Sequence, residues 1–203
     1  MSDRLPIPAR EVLARRWKHI APVHREMTPR VAALYVDSRR GPYPGLPLVD
    51  AWPEERDATR YFGKTPIVAH PPCGHWGRFS WNESRADKKW LAPFAVCQLA
   101  RYGGVLEHPR DSKLWKACDL PLPGELPFRG FWTLEVDQGW WGHVAPKRTW
   151  LLFSRVPREA VSLPAARPIA AGRVVNMPKT RRHLTPPAFA RWLVQCARAV
   201  PHG

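Results

Sequence analysis

Ile67-Val68-Ala69-His70-Pro71-Pro72-Cys73 is a short apolar run that stops dead at two prolines. Further along, Gly104-Val105-Leu106-Glu107-His108-Pro109 repeats the pattern. Short, fully apolar runs bounded by turn signals suit buried strands, and proline cannot donate to a ladder, so each strand must end there. Between them, Asp87 to Tyr102 carries Leu91, Ala95, Leu99 and Tyr102 on one helical face, with Gly103 in the position of a left-handed cap. Strand, helix, strand in this order is a βαβ unit, and such units build parallel sheets. In open sheets of this kind the site lies beyond the carboxyl ends of the strands. The His70–Cys73 and Glu107–Pro109 segments are therefore expected to face one crevice.

Outward from this unit, Val31 to Val36 is another short apolar run, ending at Asp37 and followed by a Gly/Pro loop through Gly41 and Gly45. Asp50 to Tyr61 reads as a helix, with Pro53 in its first turn and Glu54 and Glu55 near its positive end. Phe131–Val136 and Arg148–Phe153 read as two strands of a wide hairpin. The last element is a helix capped by Thr185, with Pro186 at its first position; Phe189, Trp192, Leu193, Cys196, Ala197 and Val200 form its apolar stripe. The expected fold is α/β: one Rossmann-like domain over residues 31–203, with a mainly parallel sheet, an edge hairpin and a C-terminal helix. Residues 1–30 read as a basic arm or surface helix.

Composition narrows the function. The chain has 203 residues, and its 32 Lys and Arg against 17 Asp and Glu give a formal charge of +15. That excess points to a polyanionic partner, most simply DNA or RNA. The 11 tryptophans fit either a core or stacking on bases. No apolar run is long enough to span a membrane and no secretory signal opens the sequence, so the expected location is the cytoplasm, with the four cysteines reduced.

Three segments can carry chemistry. Cys73, on a proline-stiffened turn after a buried strand, is a candidate nucleophile, with His75 and Arg78 available to favour its thiolate. The plain alternative is a small buried thiol at a tight turn. Glu107, where the next strand enters the crevice, can bind the edge of a base or act as acid or base; His108 beside it is either a contact or a structural hydrogen-bonder. In the hairpin turn, Lys147 and Arg148 can hold phosphate while Trp140 or Trp141 stacks. His70, Cys73 and His75 lie close enough in sequence to raise zinc, but the spacing lacks a Cys-x-x-Cys pair, and no metal is expected.

In their shared order these segments resemble the DNA cytosine-5 methyltransferases, in the shortened, divergent form found among bacteriophage and prophage proteins. Pro71-Pro72-Cys73 is similar to that family's Pro-Cys nucleophile loop. Glu107-His108-Pro109 is similar to its Glu-Asn motif, with His for Asn. Gly142-His143-Val144-Ala145-Pro146-Lys147-Arg148-Thr149-Trp150-Leu151 is similar to its Gly-Val-Pro-Gln-x-Arg-x-Arg region, without the Gln. Arg182-His183-Leu184-Thr185-Pro186 resembles its late motifs. The resemblance covers roughly residues 66–153 and 181–199. It implies that Cys73 attacks C6 of a flipped cytosine in DNA, Glu107 contacts N3 and the exocyclic amine, and C5 takes a methyl from S-adenosylmethionine. Pro72, His75, Arg78, His108, Trp141, Lys147 and Arg148 would then lie against the DNA, in the bacterial cytoplasm if the protein is phage-encoded. The Phe-x-Gly-x-Gly cofactor loop of the family is absent here, leaving Asp37 and Gly41 as the residues that would hold the cofactor. Two alternatives stand beside methylation: a nucleic-acid-binding protein on a decayed scaffold, and a base-modifying enzyme that does not use S-adenosylmethionine.

Overall fold

The computed structural model describes residues 30–77, 80, 86–172, 177–178, 181 and 184–201. Arg78, Arg182, His183 and all but the last residue of the 1–30 arm lie outside the described residues.

Six strands form one sheet: β1 (Val31–Val36), β2 (Val49–Pro53), β3 (Ile67–Ala69), β4 (Gly104–Pro109), β5 (Phe131–Asp137) and β6 (Arg148–Ser154). Their spatial order is β2-β1-β3-β4-β6-β5. The first four run parallel. β6 runs antiparallel to both β4 and β5, so it alone opposes the rest. The expected hairpin is thus present at one edge. From β1 the chain moves one way to β2 and then returns to place β3 on the other side, so the strand order reverses between β1 and β3.

Among the described residues three helices pack on this sheet: α1 (Leu91–Tyr102), α2 (Lys113–Ala117) and α3 (Pro187–Arg198). The sheet has a core on each face. On one, Ala92, Ala95, Val96 and Leu99 of α1 and Leu114 and Trp115 of α2 pack on Ala32, Leu34, Ile67, Ala69, Leu106 and Leu152. On the other, Phe189, Trp192, Leu193 and Ala197 of α3 pack on Val31, Ala33, Val68, Val105 and Leu151. The alternation of strand residues between the two cores is the period-2 pattern of a sheet covered on both sides.

Four expectations change. Val49–Pro53 is a strand where a helix was expected; it pairs with β1 from Val31↔Val49 to Val36↔Pro53, and only short 3-10 turns at Glu54–Arg56 and Ala58–Arg60 follow. Parallel pairing with a buried neighbour outweighs the local helix signals, because Val49 and Ala51 pack against the core. The last helix begins later than expected, with Pro186 in the cap position and no side-chain cap. Gly103 has a positive φ of 74° but an extended ψ of 172°, which leads straight into β4 rather than forming a left-handed cap. Finally, α1 starts at Leu91 rather than Asp87, after a 3-10 turn at Ala86–Lys88. β1 also carries a bulge. Tyr35 has a φ of 59°, and the register slips between Leu34 and Val36. The extra residue turns Val36 into the α3-side core, away from the face that Leu34 occupies. Among the described residues no helix is long and apolar enough to cross a membrane.

Candidate active site

β3 and β4 are neighbours in register, Ile67↔Gly104 through Ala69↔Leu106, so His70 and Glu107 come next on the same face. The last ladder bond, from His70 N to Leu34 O at 3.0 Å, precedes Pro71 and Pro72, which have no amide to continue it. The chain then turns, with Cys73 O accepting from Trp76 N (3.0 Å) and Gly77 N (2.9 Å). Trp76 pins this turn: its ring is buried in the α1-side core, its Nε1 donates to Lys89 O at 3.1 Å, and its carbonyl accepts from Lys113 N at 2.9 Å. Cys73 and His75 are both half-buried in this loop, each with a partner, and Pro72 is half-buried before them.

At the carboxyl edge four side chains meet. Glu107 Oε2 is 3.0 Å from His70 Nδ1, and each of these two side chains retains 12% exposure. His70 Nε2 lies 2.6 Å from the Tyr43 hydroxyl. Gln138 Nε2, from the turn between β5 and β6, donates to Glu107 Oε1 (3.1 Å) and to Thr149 Oγ1 (3.0 Å). Antiparallel pairing of β6 with β4 brings that turn here, since Pro109↔Thr149 sets the start of β6 beside the end of β4.

The electrostatics follow from these contacts. Burial pushes the Glu107 carboxyl up, but the His70 hydrogen bond, the Lys147 charge and, at the acid pH where the carboxyl titrates, protonated His70 and His108 outweigh it and hold the carboxyl at about 2. Glu107 is therefore an acceptor only, and His70 Nδ1 carries the hydrogen between them. In the neutral ring Nε2 is then the acceptor and Tyr43 donates. Burial, with the Glu107 charge behind it, pushes the Tyr43 phenol well above its ordinary value, so it keeps its proton.

His108 does not join this group. Neighbouring strand residues point to opposite faces, and His108 is fully buried on the α1 side, 2.7 Å from Ser112 Oγ and tilted against Trp115. Burial brings it down to about 4, so it is neutral. Trp141 is half-buried, and its ring packs on Phe189 and Trp192, at centroid distances of 4.9 and 4.6 Å. Lys147 Nζ donates to Leu184 O at 3.2 Å while its charge reaches Glu107. Arg148 is exposed and paired with Glu135. Both basic residues stand at the carboxyl edge of the sheet, at the start of β6.

Asp37 and Gly41 shape the loop after β1. Asp37 Oδ1 accepts from Arg39 N (2.8 Å) and Arg40 N (3.0 Å), and these amides hold the carboxyl below its usual range. A Cβ on Gly41 would stand 2.5 Å from Asp37 O, so glycine is there for the turn itself. Beyond Gly41 the Tyr43 ring fills the space beside His70. For S-adenosylmethionine this loop offers little: one oxygen of the exposed Asp37 carboxylate is taken by the loop's own amides, and Pro42 and Pro44 have no N–H to give. Among the described residues no group of three or more His, Cys, Asp or Glu side chains is arranged to hold a metal ion.

Tyr43, Gln138 and Trp76 were not marked by the sequence as site residues. Only Gln138 had a signal, as a polar residue at the base of a hairpin turn already rich in aromatic and basic side chains. No family model matches the chain, and searches of curated proteins and of solved structures found no match.

Proposed function

We propose that this protein is a DNA-modifying enzyme on a Rossmann-like scaffold, in which Cys73 adds to C6 of a pyrimidine and Glu107 holds the edge of the base. The observation that carries the reading is the pairing of β3 with β4. It sets the Cys73 loop and Glu107 at the carboxyl ends of adjacent parallel strands, next to the β1/β3 reversal where ligands bind in open α/β sheets. Thiol addition at C6 makes C5 nucleophilic, which is the chemistry of the cytosine-5 methyltransferases that the sequence resembles. Lys147 and Arg148 at the same edge, and a net charge of +15, support a nucleic acid as the substrate.

A second reading, a nucleic-acid-binding protein without catalysis, is favoured by one observation: the loop after β1 is closed on itself. One experiment separates the two. Nucleosides from DNA of cells expressing the protein are analysed by mass spectrometry, with Cys73→Ser as the control. A modified pyrimidine that disappears in the variant supports the enzyme. Unmodified DNA in both, from cells where the protein binds DNA, supports the binding protein.

A further inference from the structure

We infer that His70 is a positioning residue of this site: anchored by Tyr43, it acts with Gln138 to make Glu107 a pure hydrogen-bond acceptor, so that the site takes a base whose reading edge offers two neighbouring N–H donors. The inference rests on the proposed role of Glu107 in holding a base.

The argument starts from lone pairs. An ionised carboxylate has about four acceptor positions and no donor. His70 uses one on Oε2 and Gln138 one on Oε1. Each oxygen keeps a second position, and the residual exposure of the side chain leaves a ligand a way to reach it. The surroundings hold that charge in place: His70 after β3 donates to it, and the Lys147 ammonium from the hairpin turn acts on it, while His108, behind it in β4, is neutral. Tyr43, from the β1–β2 loop, is the remaining titratable neighbour and holds the far side of the His70 ring at 2.6 Å. A ring fixed at both nitrogens cannot rotate away and leave Glu107 free to take a proton.

A fixed acceptor selects among bases. Neutral cytosine offers its exocyclic amine beside an N3 that is itself an acceptor. When the Cys73 thiol adds, the S–C6 bond forms, the C5=C6 pair moves to C4–C5, the C4=N3 pair moves to N3, and N3 takes the thiol's proton. The adduct then offers N3–H and the amine together, which is what two carboxylate oxygens accept. Glu107 thus fits the adduct better than the ground state, the condition for accelerating its formation. In uracil, O4 replaces the amine and faces the carboxylate as a second acceptor.

The test uses the full chain and matched DNA duplexes carrying 5-azacytosine or 5-azauracil at one position, with covalent adducts read on denaturing gels. The wild type should favour 5-azacytosine by about tenfold or more, the usual yield of a good two-point base contact. His70→Phe should lose most of that preference, and Tyr43→Phe part of it. His70→Asn, which keeps a donor near Nδ1, should retain more than His70→Phe. A merely structural role would lower both adducts together and leave the ratio unchanged, which would overturn the inference. Equal adducts in the wild type would overturn it too. If the wild type forms neither adduct, the Cys73 reading falls, and nitrogen-15 spectra of the His70 ring then decide its role alone. A ring signal that shifts in Glu107→Gln keeps the positioning role, and an unchanged one ends it.

Discussion

Gln138 reaches Glu107 across the sheet edge, with its Nε2 3.1 Å from Oε1, although 31 residues separate them in the chain. The contact exists because β6 runs back along β4 and carries the hairpin turn to the carboxyl edge. Gln138 is fully buried, and the turn around it is tied by Asp137 Oδ1, which accepts from Gly139 N (2.8 Å) and Lys147 N (2.9 Å).

Replacing Gln138 by Ala leaves the buried oxygens of Glu107 and Thr149 short of a donor. Loss of a buried partner costs about 1–3 kcal/mol. Urea denaturation of Gln138→Ala at neutral pH should show a midpoint lowered accordingly. A variant as stable as the wild type would mean that water replaces the amide without loss.

Acid should destabilise the protein in two stages. His108 titrates at about 4 when folded, against an ordinary value of 6.5. The unfolded chain therefore binds that proton first, and stability that is complete above pH 6.5 is lost as pH falls toward 4. Glu107 is held at about 2 against 4.5, so its contribution is complete above pH 4.5 and is lost as pH falls toward 2. Each amounts to about 3 kcal/mol at most. His108→Gln should flatten the dependence of stability on pH between 6.5 and 4 and leave the lower stage in place; denaturation curves across this range check it.

DNA affinity should fall steeply with salt. If Lys147 and Arg148 each neutralise a phosphate, removing both reduces the slope of log affinity against log salt by about 2. Because Arg148 is already paired with Glu135, Glu135→Gln should tighten binding by freeing the guanidinium. Fluorescence titrations at several salt concentrations measure both effects, and an unchanged slope would set the hairpin turn apart from the DNA.

The thiols should separate by reactivity. Cys97 is exposed, whereas Cys196 is buried on the inner face of α3 and its thiol is pushed up to about 12 by that burial. A thiol reagent should label Cys97 at once and Cys196 only on unfolding. Half-buried Cys73 should fall between them and slow further when an oligonucleotide is bound. Labelling followed by peptide mass analysis gives the order.

The legible parts of this fold were those with local signals. β3, β4 and α1 announce themselves as apolar runs ending at proline and as a helical stripe, and the hairpin by its aromatic strands. β2 was missed because Asp50 and Pro53 mimic a helix start, while its real determinant is β1 beside it. His70 was visible only as one of several histidines near Cys73. Its meaning depends on Glu107, 37 residues later, and on Tyr43, 27 residues earlier in a proline-rich loop. His108 next to Glu107 looked like a second site residue, yet strand alternation sends the two side chains to opposite faces.

The bulge at Tyr35 makes chain length at the end of β1 a matter of odd and even. With one residue unpaired between Leu34 and Val36, the segment leaving the strand heads to the face where Tyr43 meets His70. Deleting a single residue there would swap the sides and strand Tyr43 away from the histidine, whereas deleting two would keep the parity. Insertions and deletions at the end of this strand should therefore be tolerated in pairs, while in the loop beyond it Asp37, Gly41 and Tyr43 must keep both identity and place.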